Sequence, residues 1–217
     1  MNIVNVSILG VVYNVEETTE LNLCKKNLTS TPDLMNELIN LEILHLFTNK
    51  LTDVPESIIK LTKLQILSLS NNNFTHFPNS ILQLKNLRYL YLDNNQLTNI
   101  PDSIDQLTKL EYLVLGYNQL NAIPNSISNL KKLKYLYLAN NKLTSLPKSV
   151  LNNKKILDIK DSSYQLDNLS LECEFLIFSE LNKPLDNLPY NCREIWLHNS
   201  IVKYEIKLPF GCEVKRF

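Results

Sequence analysis

The chain has 217 residues, 44% of them hydrophobic, enough apolar material for a continuous core. Lysine plus arginine and aspartate plus glutamate number 22 each, so no net charge draws the chain to nucleic acid or to an anionic membrane. Its three scattered glycines cannot assemble a phosphate-cradling loop.

The chain opens MNIVNVSILGVVYNVEETT. This apolar run lacks a basic leader, is interrupted by Asn5 and Ser7, and has no small-residue cleavage site, so it does not read as a secretory signal. The alternation predicts a β-hairpin instead, Val4 to Ile8 and Val11 to Val15, folding about Leu9-Gly10. Residues 1–17 would cover the open end of whatever stacks behind them, which otherwise exposes a raw hydrophobic cross-section. No stretch reaches the roughly 20 apolar residues of a membrane-spanning helix.

Residues 18–166 repeat a 23-residue sentence. Pro32, Pro55, Pro78, Pro101, Pro124 and Pro147 fall 23 residues apart. A first, imperfect copy has Thr18 in the opening leucine slot, Leu21 and Leu23 in the next two, and Asn27 one place late. Five regular copies open at Leu41, Leu64, Leu87, Leu110 and Leu133 and carry Asn49, Asn72, Asn95, Asn118 and Asn141. Within L-x-x-L-x-L the alternation predicts a short parallel strand, leucines inward and intervening residues outward. The asparagine side chain can bond backbone groups as the chain turns away, and stacked copies can extend such bonds into a ladder. Proline sets φ and removes a donor on the return limb, favouring an extended or 3₁₀ turn. Ser57, Ser80, Ser103, Ser126 and Ser149 are placed to cap that turn, and Ile58, Ile81, Ile104, Ile127 and Val150 to plug the core behind it.

After Pro147 the rhythm shortens. Ile156 and Ile159 keep the leucine phase, but Asp161 and Tyr164 stand where leucine and asparagine belong. Cys173, Cys192 and Cys212 then mark three copies, LSLEC-EFLIF, LPYNC-REIWL and LPFGC-EVKRF, spaced 19 and 20 residues apart. Each cysteine occupies the first leucine slot as a small buried hydrophobe. Leu176, Phe178, Ile195 and Leu197 fill the following slots. In the last copy Lys215 falls in a core slot, so that strand either slips in register or ends the stack as a polar cap. Residues 167–217 form this shorter, cysteine-phased end of the same solenoid.

The sentence L-x-x-L-x-L-x-x-N-x-L resembles the 23-residue class of leucine-rich repeat proteins, over residues 41–150. LNKPLDNLPYNCREIWL, residues 181–197, resembles the FNIP-type repeat of slime-mould and giant-virus proteins, with Leu181 in place of its opening phenylalanine. The two resemblances imply an α/β solenoid horseshoe, with a parallel β-sheet on the concave face and 3₁₀, extended or short helical segments on the convex face. They imply an intracellular interaction protein, cytoplasmic, or in the host cytoplasm for a viral chain, and neither implies an enzymatic activity.

Ten strands about 4.8 Å apart make an arc on the order of 45 Å. Its outward columns run Glu20, Ile43, Ile66, Tyr89, Tyr112, Tyr135, Asp158 and Asn22, His45, Ser68, Tyr91, Val114, Tyr137, Lys160. Tyr117 lies just beyond the strand. The expected partner-binding site is therefore Tyr89, Tyr91, Tyr112, Tyr117, Tyr135 and Tyr137, with Arg88, Asp93, Glu111 and Lys134 around them. Tyrosine offers rigid apolar area with a hydroxyl handle and is enriched at interface centres. Aromatics also suit strands and stack across sheets without any partner. The expected partner is another protein, bound by a monomer, with no nucleic acid, membrane, metal or cofactor. An alternative is a recognition or regulatory subunit of a ubiquitin ligase or of a kinase or phosphatase, catalysis lying on another chain. A Cys24–His45 nucleophile is the remaining enzymatic reading.

Overall fold

The computed structural model describes residues 5–144, 146–147, 156–158, 175–178, 194–197 and 211–216. The first alternating stretch is a hairpin: β1 (Asn5–Ile8) pairs antiparallel with β2 (Val11–Asn14), Ile8 opposite Val11. Leu9 and Gly10 take φ of 50° and 80°, the double left-handed turn whose twist matches the flanking strands. Val6 and Ile8 are buried with the main core.

The remaining strands form one parallel sheet in chain order. They are β3 (Glu20–Asn22), β4 (Ile43–His45), β5 (Ile66–Ser68), β6 (Tyr89–Tyr91), β7 (Tyr112–Val114), β8 (Tyr135–Tyr137), β9 (Ile156–Asp158), β10 (Phe175–Phe178), β11 (Glu194–Leu197) and β12 (Glu213–Arg216). From β3 to β8, partners in register are 23 residues apart, as Tyr89 is from Tyr112. Leu21, Leu44, Leu67, Leu90, Leu113 and Leu136 follow one another down the centre of the core with no exposed surface. These strands stop after three residues because Lys25, Thr48, Asn71, Asn94, Tyr117 and Asn140 turn the chain at φ between 52° and 57°.

Each turn delivers an asparagine into the core, and its bonds join its own repeat to the preceding one. Asn118 donates through Nδ2 to the carbonyls of Leu92, Leu115 and Gly116 at 3.0, 3.0 and 3.1 Å, and its Oδ1 accepts the Leu97 amide at 2.9 Å. Asn72, Asn95 and Asn141 repeat this arrangement. Because Leu92 O also accepts from Asn95, neighbouring asparagines share carbonyls, and the ladder is continuous. It starts at Asn49, whose Oδ1 accepts the amides of both Lys26 and Leu28.

The return limb is a five-residue 3₁₀ turn in five successive repeats: Asp33–Glu37, Glu56–Lys60, Asn79–Gln83, Asp102–Gln106 and Asn125–Asn129. Proline precedes each, with φ from −63° to −73°, and its carbonyl accepts the first turn bond, as Pro55 O does from the Ile58 amide at 3.1 Å. The serines do not cap these turns, which carry no side-chain cap bond. Proline already places an acceptor there. Ser57 instead accepts from Asn36 of the preceding repeat at 2.8 Å, and Ser80 donates back to Val54 O at 3.4 Å. Ile58, Ile81, Ile104 and Ile127 plug the core with no exposed surface. Ser149 and Val150 lie outside the described residues.

Two expectations of phase are corrected beyond β8. Tyr135 pairs with Ile156 and Tyr137 with Asp158, a step of 21 residues, so Ile156 and Asp158 replace the expected Asp158 and Lys160 in the two outward columns. Leu157, and not Ile159, falls in register with Leu136. Holding the 23-residue phase would have set Asp161 in a leucine slot, at the cost of burying a carboxylate. The steps from β9 to β12 are each 19 residues, so the final strand slips by one against its cysteine phase. Val214, opposite the fully buried Ile195, packs on the core, and Lys215 pairs with Trp196 instead of entering the leucine slot. Cys212 is buried. Cys173, Cys192 and most of the FNIP-like segment lie outside the described residues.

Candidate functional site

The outward face of β6, β7 and β8 is a grid fixed by register. Its rows are Tyr89, Tyr91 and Asp93; Tyr112, Val114 and Gly116; Tyr135, Tyr137 and Ala139. Backbone bonds carry the alignment past the strands, Asn94 N donating to Gly116 O at 3.0 Å and Tyr117 N to Ala139 O at 2.8 Å. Four tyrosines form an unbroken aromatic run. Tyr89 stacks on Tyr112 with centroids 4.8 Å apart, Tyr112 on Tyr135 at 4.1 Å, and Tyr135 lies parallel to Tyr137 at 6.5 Å. All four rings are half-buried, and Tyr112 has a ring neighbour on each face.

A hydrogen bond from the Tyr112 hydroxyl to Tyr135, reinforced by burial, pushes the Tyr112 pKa up to about 12. Tyr91 stands in the neighbouring column, beside Val114 in register, and burial followed by the charges of Tyr89 and Asp93 raises its pKa too. Tyr117 is set apart from the stack: it occupies the left-handed turn position and is 54% exposed. Its counterparts Asn71, Asn94 and Asn140 tolerate that backbone through short polar side chains, whereas an aromatic residue holds it at a cost of order 1 kcal/mol.

The four charged residues divide into two groups. Glu111 is sandwiched between Arg88 and Lys134, each 23 residues away in the same column: Arg88 Nε and Nη2 reach Oε1 at 2.7 and 2.6 Å, and Lys134 Nζ reaches Oε2 at 2.6 Å. Arg88 also lies 5.5 Å over the Tyr89 ring. The pairs first with Lys134 and then with Arg88 hold the Glu111 carboxyl below its ordinary value near 4.5. With the folded pKa below the unfolded one, this contribution to stability is complete at neutral pH and is lost as pH falls from about 4.5 through the depressed value. Denaturant unfolding at pH 7 and pH 3 should therefore show a larger acid loss for the native chain than for Glu111→Gln. Asp93, on the opposite lip, accepts only neutral donors, Ser70 Oγ at 2.5 Å and Asn94 Nδ2 at 2.8 Å. Column pairing by 23 residues was readable as sequence spacing, yet the charges look unrelated until the register puts them side by side.

Gly116 is not simply a vacancy for a partner. A Cβ there would meet Ala139 O at 3.3 Å, so part of its smallness answers to packing. Cys24 is free and half-buried, and burial raises its thiol pKa against the opposing pull of a Phe47 backbone bond and of Lys25. His45 turns to Glu20, 3.9 Å away, and meets Phe47 edge-on at 6.1 Å, so neither side chain activates the other as a nucleophile. Among the described residues no cluster of three metal-ligating side chains occurs, and no helix is long and apolar enough to cross a membrane.

Residues 39–97 and 85–143 match the leucine rich repeat family model. No curated protein sequence matches the chain. Similar solved structures include the plant peptide hormone receptor RGFR1 in complex with RGF2, at 27% identity and TM-score 0.68 over 92% of this chain and 35% of that one. The PEPR1-AtPEP1 structure aligns at 28% identity and TM-score 0.60, over 83% of this chain and 29% of the other. A leucine-rich repeat protein of Leptospira interrogans aligns at 26% identity and TM-score 0.52, over 90% and 59%. The chain thus spans about a third of the length of the first two and 59% of the third. Strand register, asparagine ladder, family match and structural likeness agree: the chain folds as a leucine-rich repeat solenoid.

Proposed function

We propose that the chain binds another protein, as an extended segment, through the tyrosine-bearing concave face of β6 to β8. The observation that carries this reading is the solvent-facing run of Tyr89, Tyr112, Tyr135 and Tyr137 across three successive repeats. The part of these half-buried rings that the stack leaves exposed is apolar area that water covers poorly. Two χ angles per ring make that area cheap in entropy to order on binding, and tyrosine hydroxyls give the face polar handles. Tyr117, held exposed in a backbone conformation that disfavours it, extends the same surface to the lip. One structure similar to this chain is the plant peptide hormone receptor RGFR1 in complex with RGF2, which favours a peptide-like partner.

Replacing Tyr91, Tyr112 and Tyr137 together by alanine is expected to weaken capture of the partner by about 2 kcal/mol or more, roughly 30-fold. The variant keeps every leucine and asparagine of the ladder, so circular dichroism should report a folded solenoid. Partner affinity unchanged in that folded variant would remove the tyrosine face from consideration.

A further inference from the structure

We infer that the recess over Val114 and Gly116 is a slot for one arginine side chain of the bound segment, a reading that rests on the concave face being the binding surface. Along the middle row of the grid, side-chain volume falls from Tyr112 to the half-buried Val114 to the buried Gly116, while Tyr91 and Tyr137 flank Val114 in register. These two rings are two strand spacings apart, about 9.6 Å at the backbone. Concave curvature brings their tips closer, and a flat group touching both needs about 7–8 Å between ring planes.

Charge decides which flat group fits. Asp93 stands at the mouth of the recess, aligned with Gly116 by the Asn94–Gly116 backbone bond. No cation of the described residues lies within 4 Å of its carboxylate, in contrast to Glu111, which is paired twice. Its two bonds come from neutral donors, one to each oxygen, so each oxygen keeps a lone pair directed outward. A guanidinium is planar, stacks on aromatic faces and binds a carboxylate through two parallel N–H bonds. An ammonium is neither planar nor forked, and pairs with the carboxylate only as a point charge. A phosphate or carboxylate group would be repelled by Asp93. Among the chemistries a polypeptide can present, arginine alone meets the two rings and the carboxylate together.

The test titrates the full chain with N-acetyl-arginine methylamide and follows backbone amide shifts by NMR, with the citrulline analogue as the neutral isostere. Arginine should move the Gly116 and Tyr117 amides at millimolar concentration, and citrulline should do so at least fivefold more weakly. Asp93→Asn should reduce the arginine response to the citrulline level. Val114→Tyr, which completes a column of three tyrosines and fills the slot without altering charge, should abolish it with Asp93 intact. Equal responses to arginine and citrulline, or an arginine response that survives both substitutions, would overturn the slot. If arginine moves neither amide while the triple tyrosine variant still loses its partner, the slot falls and the concave face stands. If the triple variant keeps its partner, the binding face itself is wrong, and the slot loses its purpose with it.

Discussion

Replacing Leu113 by alanine is expected to destabilise the solenoid by about 2–5 kcal/mol, read as a fall in the denaturant midpoint. Leu113 has no exposed surface, sits in β7 between Leu90 and Leu136 in register, and so contacts the core of two neighbouring repeats as well as its own. Removing its branched end leaves a cavity that three stacked strands cannot collapse, because their backbones are tied at a fixed spacing by the ladder. In a one-dimensional stack the consequence depends on position, since each repeat is held by two neighbours except at the ends. Leu21→Ala, an equally buried leucine in the edge strand β3, should release the hairpin and first repeat as an early, small transition while the middle unfolds as before. Lys109→Ala, which loses one exposed bond to Asn86, should shift neither transition. A Leu113 variant as stable as the native chain would show that the leucine phase points the wrong way.

Leu113 was legible in the sequence for the same reason it is costly to replace. Leucine, asparagine and proline recur because each slot has one physical task, so copies agree and the period stands out. Legibility failed where a slot has two solutions. The serines could cap the return turn or tie it to the preceding repeat, and the proline carbonyl had already settled the matter by occupying the cap position. Beyond Tyr137 the chain drops two residues and then four from its period, and a leucine pattern counted forward at 23 inevitably drifts. Asp161 in a leucine slot already marked the break in the sequence, but the new spacing is fixed only by the pairing of Leu136 with Leu157.

On the outward face of β6 to β8 the tyrosine columns were legible, since outward positions follow from alternation once the strand is placed. Their interactions were less so. The Arg88–Glu111–Lys134 row depends on three side chains from three repeats meeting at one lip, and the run through Tyr137 depends on how rings lean within a strand. The doublets Asn71-Asn72, Asn94-Asn95 and Asn140-Asn141 contain a further signal: the first asparagine takes the left-handed turn and the second builds the ladder. Tyr117-Asn118 breaks that doublet at its first member only. Substitution there is compatible with the fold at some cost, which singles out Tyr117 among the tyrosines as the one the backbone itself does not favour.

The second member of the doublet cannot be exchanged on such terms. Asn118→Leu is expected to cost about 3–5 kcal/mol, although leucine is larger, more apolar and at home in the core. The carbonyls of Leu92, Leu115 and Gly116 each lose a bond but keep another, from Asn95, Asn141 and the Asn94 amide respectively. The Leu97 amide is different. It is buried, and Asn118 Oδ1 is the acceptor that satisfies it, so it is left with the full desolvation penalty of an unpaired donor, about 1–3 kcal/mol. Three weakened carbonyls at about 0.5–1.5 kcal/mol each, partly offset by the added apolar area, supply the rest. The location of the damage is the sharper prediction. Hydrogen exchange should accelerate most at Leu97, 21 residues upstream and in the preceding repeat, more than at the amides flanking position 118 itself. Protection lost around residue 118 with Leu97 unchanged would mean that the asparagine serves its own turn and not the joint between repeats.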